Sequence, residues 1–151
     1  MKNNKILIVA AHPDDVEISS GATLLKYAKA GKSIGIIDLT EGELGTRGSV
    51  KKRYAEAKKA SEFMGLKTRE NLNLGDGFFE HSKENQLKII ECIRKYQPEI
   101  ILANSIQDRH PDHAKGAKLV AEASFLSGLT KIETKFNGVP QKTHRPKMLL
   151  H

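Results

Sequence analysis

His12-Pro13-Asp14-Asp15 closes the apolar run Ile6-Leu7-Ile8-Val9-Ala10-Ala11, and Arg109-His110-Pro111-Asp112-His113 follows the apolar run Ile100-Ile101-Leu102-Ala103. The tripeptide His-Pro-Asp thus occurs twice, each time after a segment with the composition of a buried strand. Imidazole nitrogens and carboxylate oxygens suit a catalytic zinc, which takes three protein ligands and keeps one position open for water. The two clusters offer His12, Asp14, Asp15, His110, Asp112 and His113. A close-spaced pair from one cluster and a third ligand from the other would build such a site. The remaining groups could then act as base and acid. Spacing does not say which are ligands. The competing reading is helix capping, because Asp14 and Asp112 each follow a proline where a helix would start, a place that favours carboxylates. Capping accounts for either cluster singly. It does not account for a histidine beside the carboxylate after both strands.

Such clusters work only if the fold brings them together. Strand-like runs fall at 6–11, 34–39, about 70–74, 99–103 and 147–150. Helical stripes lie between them. Residues 17–30 place Ile18, Ala22, Leu25 and Ala28 on one face before Gly31. Residues 51–64 place Tyr54, Ala57, Ala60, Ser61 and Met64 before Gly65. Residues 83–96 carry Leu87, Ile90, Ile93 and Arg94 before Pro98, and residues 112–127 carry Ala117, Val120, Ala121, Ala123 and Ser124 before Gly128. These are period-3.6 patterns with glycine or proline stops. Alternating strand and helix predicts an α/β fold, a parallel sheet with helices on both faces. Residues 129–146 show no period and read as a long loop. In such a sheet ligands bind beyond the carboxyl ends of the strands, where both clusters fall. The loops Thr40–Gly48 and Gly75–Phe79 leave the same edge.

The 151 residues suit one domain, 1–151. A net charge of +7 raises the question of nucleic acid. The lysines are spread over many segments, aromatics are 5% with no Trp, and no nucleic-acid-reading motif is present, so no nucleic-acid partner is expected. A small anionic substrate fits the charge equally well. The one cysteine, Cys92, lies in an apolar stretch and reads as a core residue. No signal peptide and no run of transmembrane length is visible, which predicts a cytoplasmic protein with no membrane partner. A nucleotide-binding module of the same architecture would want Gly-x-Gly-x-x-Gly after the first strand, and that is missing.

"AHPDD" after the first strand and "HPDH" about a hundred residues on, with "GELGTRG" and "LNLGDG" between them, resemble the PIG-L (LmbE-like) deacetylases. The resemblance runs through the whole chain. It is nearest to the bacillithiol-pathway enzymes that act on N-acetylglucosaminyl malate. It implies a Rossmann-like sheet and metal-dependent removal of acetyl from an N-acetylglucosamine conjugate. It assigns His12, Asp15 and His113 as ligands of one Zn2+, Asp14 as general base, and His110, protonated in its working state, as the group that stabilises the oxyanion. Arg53 becomes a substrate-binding residue, although Lys51-Lys52-Arg53 by itself reads as a solvated helix face. Asp112 is a candidate to orient His110. The resemblance also implies an amino-sugar substrate, a homo-oligomer with a hexamer as the expected form, and a missing C-terminal part, because the family's members are longer. Two alternatives stay open: another N-acylated sugar such as a chitin fragment, and a metal-binding but inactive piece.

Overall fold

The computed structural model describes residues 5–151. The elements run β1 (Ile6–Ala10), α1 (Asp15–Lys29), β2 (Ile34–Asp38), α2 (Val50–Met64), β3 (Thr68–Asn71), α3 (Lys83–Tyr96), β4 (Ile100–Ala103), α4 (Pro111–Leu126), β5 (Lys135–Phe136), β6 (Val139–Pro140) and β7 (Met148–Leu150). Five strands form one sheet in the order β3-β2-β1-β4-β7, and every pairing in it is parallel. All five residues of β1 and of β2 are buried, as a strand covered on both faces requires.

The two faces sort by strand alternation. Leu7, Val9, Ile37 and Ile101 pack with Ile89 and Ile93 of α3 and Leu119 and Val120 of α4. Ile6, Ile8, Ala10, Ile34 and Ile36 pack with Val16 and Leu24 of α1 and Met64 of α2. The chain travels outward from β1 through β2 to β3, then returns to lay β4 on the other side of β1. That reversal is a topological switch point, and the crevice it leaves lies beyond the ends of β1 and β4. His12 follows β1 by two residues, and the His110 cluster follows β4.

Two expectations change. The period of α1 is as expected, but its phase is not. Val16 and Leu24 face the sheet, while Ile18 is 81% exposed. The helix begins at Asp15, and holding that carboxylate inward turns the Val16–Leu24 stripe, not Ile18, onto the strands. The stretch 129–146 is also more than a loop. Asn137 and Gly138 both have positive φ, 52° and 78°, and close the antiparallel pair β5–β6. Asn-Gly is the residue pair such a turn favours.

The segment before that hairpin is wrapped on Arg94, which projects from α3 and is only 3% exposed. Its guanidinium donates to the carbonyls of Ser127 (3.0 Å), Leu129 (2.9 Å) and Ile132 (2.6 Å) and to Thr134 Oγ1 (2.8 Å). These are the orphan acceptors of the α4 C-terminus and the turn beyond it. Arg94→Met would keep the stem and remove four donated bonds, leaving Ser127 with the His144 N–H and Leu129 with the Ile132 N–H. It should cost roughly 1.5–3 kcal/mol, the worth of hydrogen bonds from a charged donor to neutral acceptors. Urea unfolding monitored by circular dichroism checks this, and a loss under about 1 kcal/mol would show that water replaces the arginine.

Cys92 is 6% exposed, and burial together with nearby Glu70 pushes its thiol up to about 12, so it is an inert core residue. Among the described residues no helix is long and apolar enough to cross a membrane.

Candidate metal centre

His12 is the first side chain beyond β1 to carry chemistry, and it is 9% exposed. Its backbone N–H donates to Asp15 Oδ2 at 3.1 Å, and Asp15 N–H returns to the His12 carbonyl at 3.3 Å. This closed turn sets residues 12 and 15 side by side. His12 Nδ1 lies 3.5 Å from Asp15 Oδ2, and His113 Nε2, from the first turn of α4, lies 3.3 Å from Asp15 Oδ1. Two imidazoles from separate strand ends thus converge on one carboxylate.

Each imidazole is held from behind. His12 Nε2 meets Asp76 Oδ1 at 3.0 Å, and His113 Nδ1 meets Asp108 Oδ2 at 3.0 Å. A carboxylate on the far nitrogen fixes the ring and raises the basicity of the near one, the outer-shell arrangement typical of metal-binding histidines. Asp15 is held as well. Asn104 Nδ2 donates to its Oδ2 at 3.0 Å while Asn104 Oδ1 accepts Ala11 N–H at 2.8 Å. Asn104 therefore ties the end of β1 to the segment after β4. Asp76 is positioned in turn by Leu44 N–H (2.9 Å to Oδ2), and its own N–H donates to Glu43 at 2.7 Å.

His110 caps α4: its Nδ1 accepts Asp112 N–H at 3.3 Å. With Nδ1 engaged by that N–H, Nε2 is the ring nitrogen left to face the cluster. The rings of His12, His110 and His113 gather with centroids 4.6, 4.9 and 5.4 Å apart.

Asp112 reaches His110 through its backbone N–H, whereas its carboxylate serves other partners. It is fully buried, accepts Gly77 N–H at 2.6 Å, pairs with Lys115 Nζ at 2.9 Å and stands 3.6 Å from His12 Nε2. Burial works to raise its pKa, but Lys115 and the Gly77 N–H outweigh it and hold Asp112 ionised. The capping alternative fails for both aspartates. Asp14 occupies the N-cap position of α1 but makes no side-chain capping bond, and Asp112 spends its carboxylate on another loop.

Asp14 points outward, with 57% of its side chain exposed, and faces Arg53 Nη1 at 3.7 Å. The Thr40–Gly48 loop makes room for that guanidinium. A Cβ on Gly45 would fall 2.1 Å from Arg53 Nη2, and Arg53 Nη2 donates to the Arg47 carbonyl at 3.4 Å. The fold therefore gathers every residue singled out: His12, Asp15, His110, Asp112 and His113 around the convergent nitrogens, with Asp14 and Arg53 at one rim.

Asp76, Asp108 and Asn104 were not singled out from the sequence. A signal existed for Asp108, a carboxylate five residues before His113 on the same loop. For Asn104 no local signal exists. The three other histidines lie outside this cluster. His81 pairs with Glu122 (3.0 Å), His144 meets the Pro98 carbonyl (2.7 Å), and His151 meets the Asn104 carbonyl (2.8 Å).

Two sets of donors are close enough to share a divalent ion; neither contains Asp15, which meets His12 and His113 pairwise. His12, His110 and His113 each offer a ligand atom within 4.8 Å of the others, and so do His12, Asp76 and Asp112. The second set is poorer, because Lys115 already neutralises Asp112 and would repel a cation. Without metal the charge is balanced by a proton. Burial opposes a charged His12, but Asp15 and Asp76 outweigh it and raise its pKa to about 9. Burial likewise opposes a charged Asp15, and His12 and Asn104 outweigh it and lower its pKa to about 2.

A ligand imidazole must be neutral, so metal uptake at about pH 7.5 should release close to one proton from His12. Calorimetric titration in two buffers of different ionisation enthalpy reads this directly, and release near zero would remove His12 from the ligand set. The linkage has a definite sign. His12, with its folded pKa raised from 6.5, stabilises the metal-free protein fully below 6.5 and loses that contribution as pH rises through about 9. Asp15, with its folded pKa lowered from 3.8, contributes above 3.8 and loses that as pH falls through about 2.

Fold and site together define a Rossmann-like α/β protein with a histidine–carboxylate cluster at its switch point. The sequence profile of the PIG-L family, described as GlcNAc-PI de-N-acetylase, matches residues 7–124, and the chain belongs to that family. Diacetylchitobiose deacetylase of Thermococcus kodakarensis is 33% identical over 135 residues, covering 83% of this chain and 51% of that protein. A probable N-acetyl-α-D-glucosaminyl L-malate deacetylase 2 of Bacillus anthracis is 30% identical over 137 residues, covering 82% and 61%. The crystal structure of the conserved protein TT1542 from Thermus thermophilus superposes with a TM-score of 0.89 at 36% identity, covering 97% of this chain and 64% of that one. The chain thus spans 51% and 61% of the length of these two curated relatives.

Proposed function

We propose that this chain carries the catalytic centre of a zinc-dependent deacetylase acting on an N-acetylglucosamine conjugate. The observation that carries the reading is the convergence of His12 Nδ1 and His113 Nε2 on Asp15, each imidazole backed by a carboxylate, with Asp14 adjacent. His12, Asp15 and His113 would hold the ion, which would supply Lewis acidity and make water acidic enough to react near neutral pH. Asp14, open to solvent at the rim next to Asp15, takes the proton of the attacking water. His110 presents Nε2–H as a donor to the oxyanion that forms on the acetyl carbonyl. The amine leaves with a proton returned from Asp14 or His110, giving acetate and a free amino sugar. An open cavity of about 650 Å³ reaches Asp15 and His113, walled by Ile18, Leu102 and Leu150, and a separate hollow of about 130 Å³ is lined by Asp14 and Arg53.

The substrate within this class is N-acetylglucosaminyl L-malate, with a chitin fragment such as diacetylchitobiose as the alternative. Arg53 separates them, since only the malate conjugate brings carboxylates. Arg53→Ala should lower kcat/KM for the malate conjugate roughly ten- to hundred-fold, the worth of a charge-assisted contact of ~1.5–3 kcal/mol. N-acetylglucosamine itself should lose little. Acetate release from both substrates is the assay. Equal losses would confine Arg53 to supporting the site, and release from diacetylchitobiose alone would overturn the malate assignment. The same reading makes the protein a cytoplasmic homo-oligomer, with a hexamer the expected form.

A further inference from the structure

We propose that Arg69 is the positioning residue of the His12–Asp15 turn, acting on the metal seat through the Pro13 carbonyl; the inference rests on the metal-centre reading above. Arg69 lies on β3, the strand furthest from the β1–β4 crevice on its side of the sheet, and its hydrogen bonds go to Asp38, Glu17, Ala57, Ser61 and Pro13 rather than to the candidate ligands. Its guanidinium nonetheless reaches across β2. Nε and Nη2 grip both oxygens of Asp38, at 2.7 and 3.0 Å, in a two-pronged pair at the carboxyl end of β2. Nη1 donates to Glu17 in the first turn of α1 and to the Ala57 carbonyl of α2 at 3.3 Å. Nη2 also donates to the Pro13 carbonyl at 2.7 Å.

Pro13 stands between His12 and Asp14, so its carbonyl is the one point where this ion network grips the motif itself. The bonds inside the turn are longer than this one: His12 N–H meets Asp15 Oδ2 at 3.1 Å, and Ile18 N–H meets the Asp14 carbonyl at 3.2 Å. Proline has no N–H to donate, and the Asp15 N–H to His12 carbonyl bond is long at 3.3 Å. A single planar cation thus ties the end of β2, the start of α1, the middle of α2 and the motif turn into one unit. Arg69 is about 10% exposed at its side chain and Asp38 about 4%, so water competes poorly for these bonds. Lysine could neutralise Asp38 and Glu17, but its ammonium is a point charge and cannot span Asp38, Glu17 and Pro13 at once.

Arg69→Lys should therefore loosen the turn while leaving the charge balance intact. Co2+ titrated into the metal-stripped chain is the probe, because its visible spectrum reports ligand geometry without substrate. We expect Co2+ affinity to fall about 10- to 100-fold, the usual consequence of losing an outer-shell support, with a changed visible band. Asp38→Asn keeps the arginine but weakens one arm of its grip. It should move Co2+ affinity the same way by a smaller factor, and it decides the matter if Arg69→Lys does not fold. Arg94→Lys is the control, a buried arginine whose partners all lie at 127–134, and it should cost stability without altering the Co2+ site. Unchanged Co2+ affinity and spectrum in the Arg69 and Asp38 variants would overturn the proposal, as would an equal loss in Arg94→Lys. Acetate release is measured in parallel. A wild-type chain that binds Co2+ but releases no acetate from any N-acetylglucosamine substrate would overturn the deacetylase reading, and the Co2+ comparison would still decide Arg69.

Discussion

Asp14→Asn should keep its metal and lose kcat by roughly 10²–10⁴, the usual worth of a positioned general base. The geometry separates Asp14 from its neighbour. Asp15 turns inward to His12, His113 and Asn104, whereas Asp14 is exposed and meets the Arg53 guanidinium at 3.7 Å. An amide of the same shape can keep a contact with Arg53 but cannot accept water's proton. Metal content by elemental analysis and kcat from acetate release are both needed. Full metal with near-normal kcat would take the base role from Asp14. Loss of metal would mean that Asp14 and Asp15 exchange roles. The Asn variant should also lose the acidic limb of the pH–rate profile, because that limb reports ionisation of the base.

Asp15→Ala should bind zinc on the order of 10²–10⁴-fold more weakly. Structural zinc sites hold their ion with roughly 10–16 kcal/mol, which shared among three ligands is about 3–5 kcal/mol each. The variant purified without chelator should carry far less than one equivalent, and retention of a full equivalent would remove Asp15 from the ligand set. A second consequence follows from the same contacts. Asp15 is a principal reason the metal-free protein keeps His12 charged, so its loss should move the His12 titration downward from about 9. Proton chemical shifts of the imidazole, followed from mildly acidic to alkaline pH, would record that movement, and an unmoved titration would mean that Asp76 alone holds the proton.

Much of this was legible in the chain itself. A continuous apolar run such as Ile6–Ala10 can only be a buried strand or a piece of buried helix, and the punctuated helices on either side make it a strand. Alternation of such runs with amphipathic helices leads to a parallel sheet, and a parallel sheet places the residues after its strands at one edge. That reasoning reaches His12, Asp14, Asp15, His110, Asp112 and His113 without coordinates, because each step depends on residues close together in the sequence. The roles among them came from the resemblance, since six similar donors in two short motifs satisfy several ligand sets equally well.

What the tertiary structure decided is of another kind. The adjacency of β1 and β4, which brings the two motifs within reach of each other, is a pairing between residues about ninety positions apart. The phase of α1, the carboxylates Asp76 and Asp108 behind the two imidazoles, the Asn104 bridge and the Arg69 grip on Pro13 are through-space matches of the same sort. Asn104 and Arg69 look like any loop asparagine or strand arginine along the chain. Arg94 read as part of an apolar helix face, and only the turn of 127–134 around it shows why a charge is tolerated there. Local periodicity sets which elements form. Which polar groups meet is set by the packing of all the elements at once, because a buried donor or acceptor must find its partner wherever the fold places one.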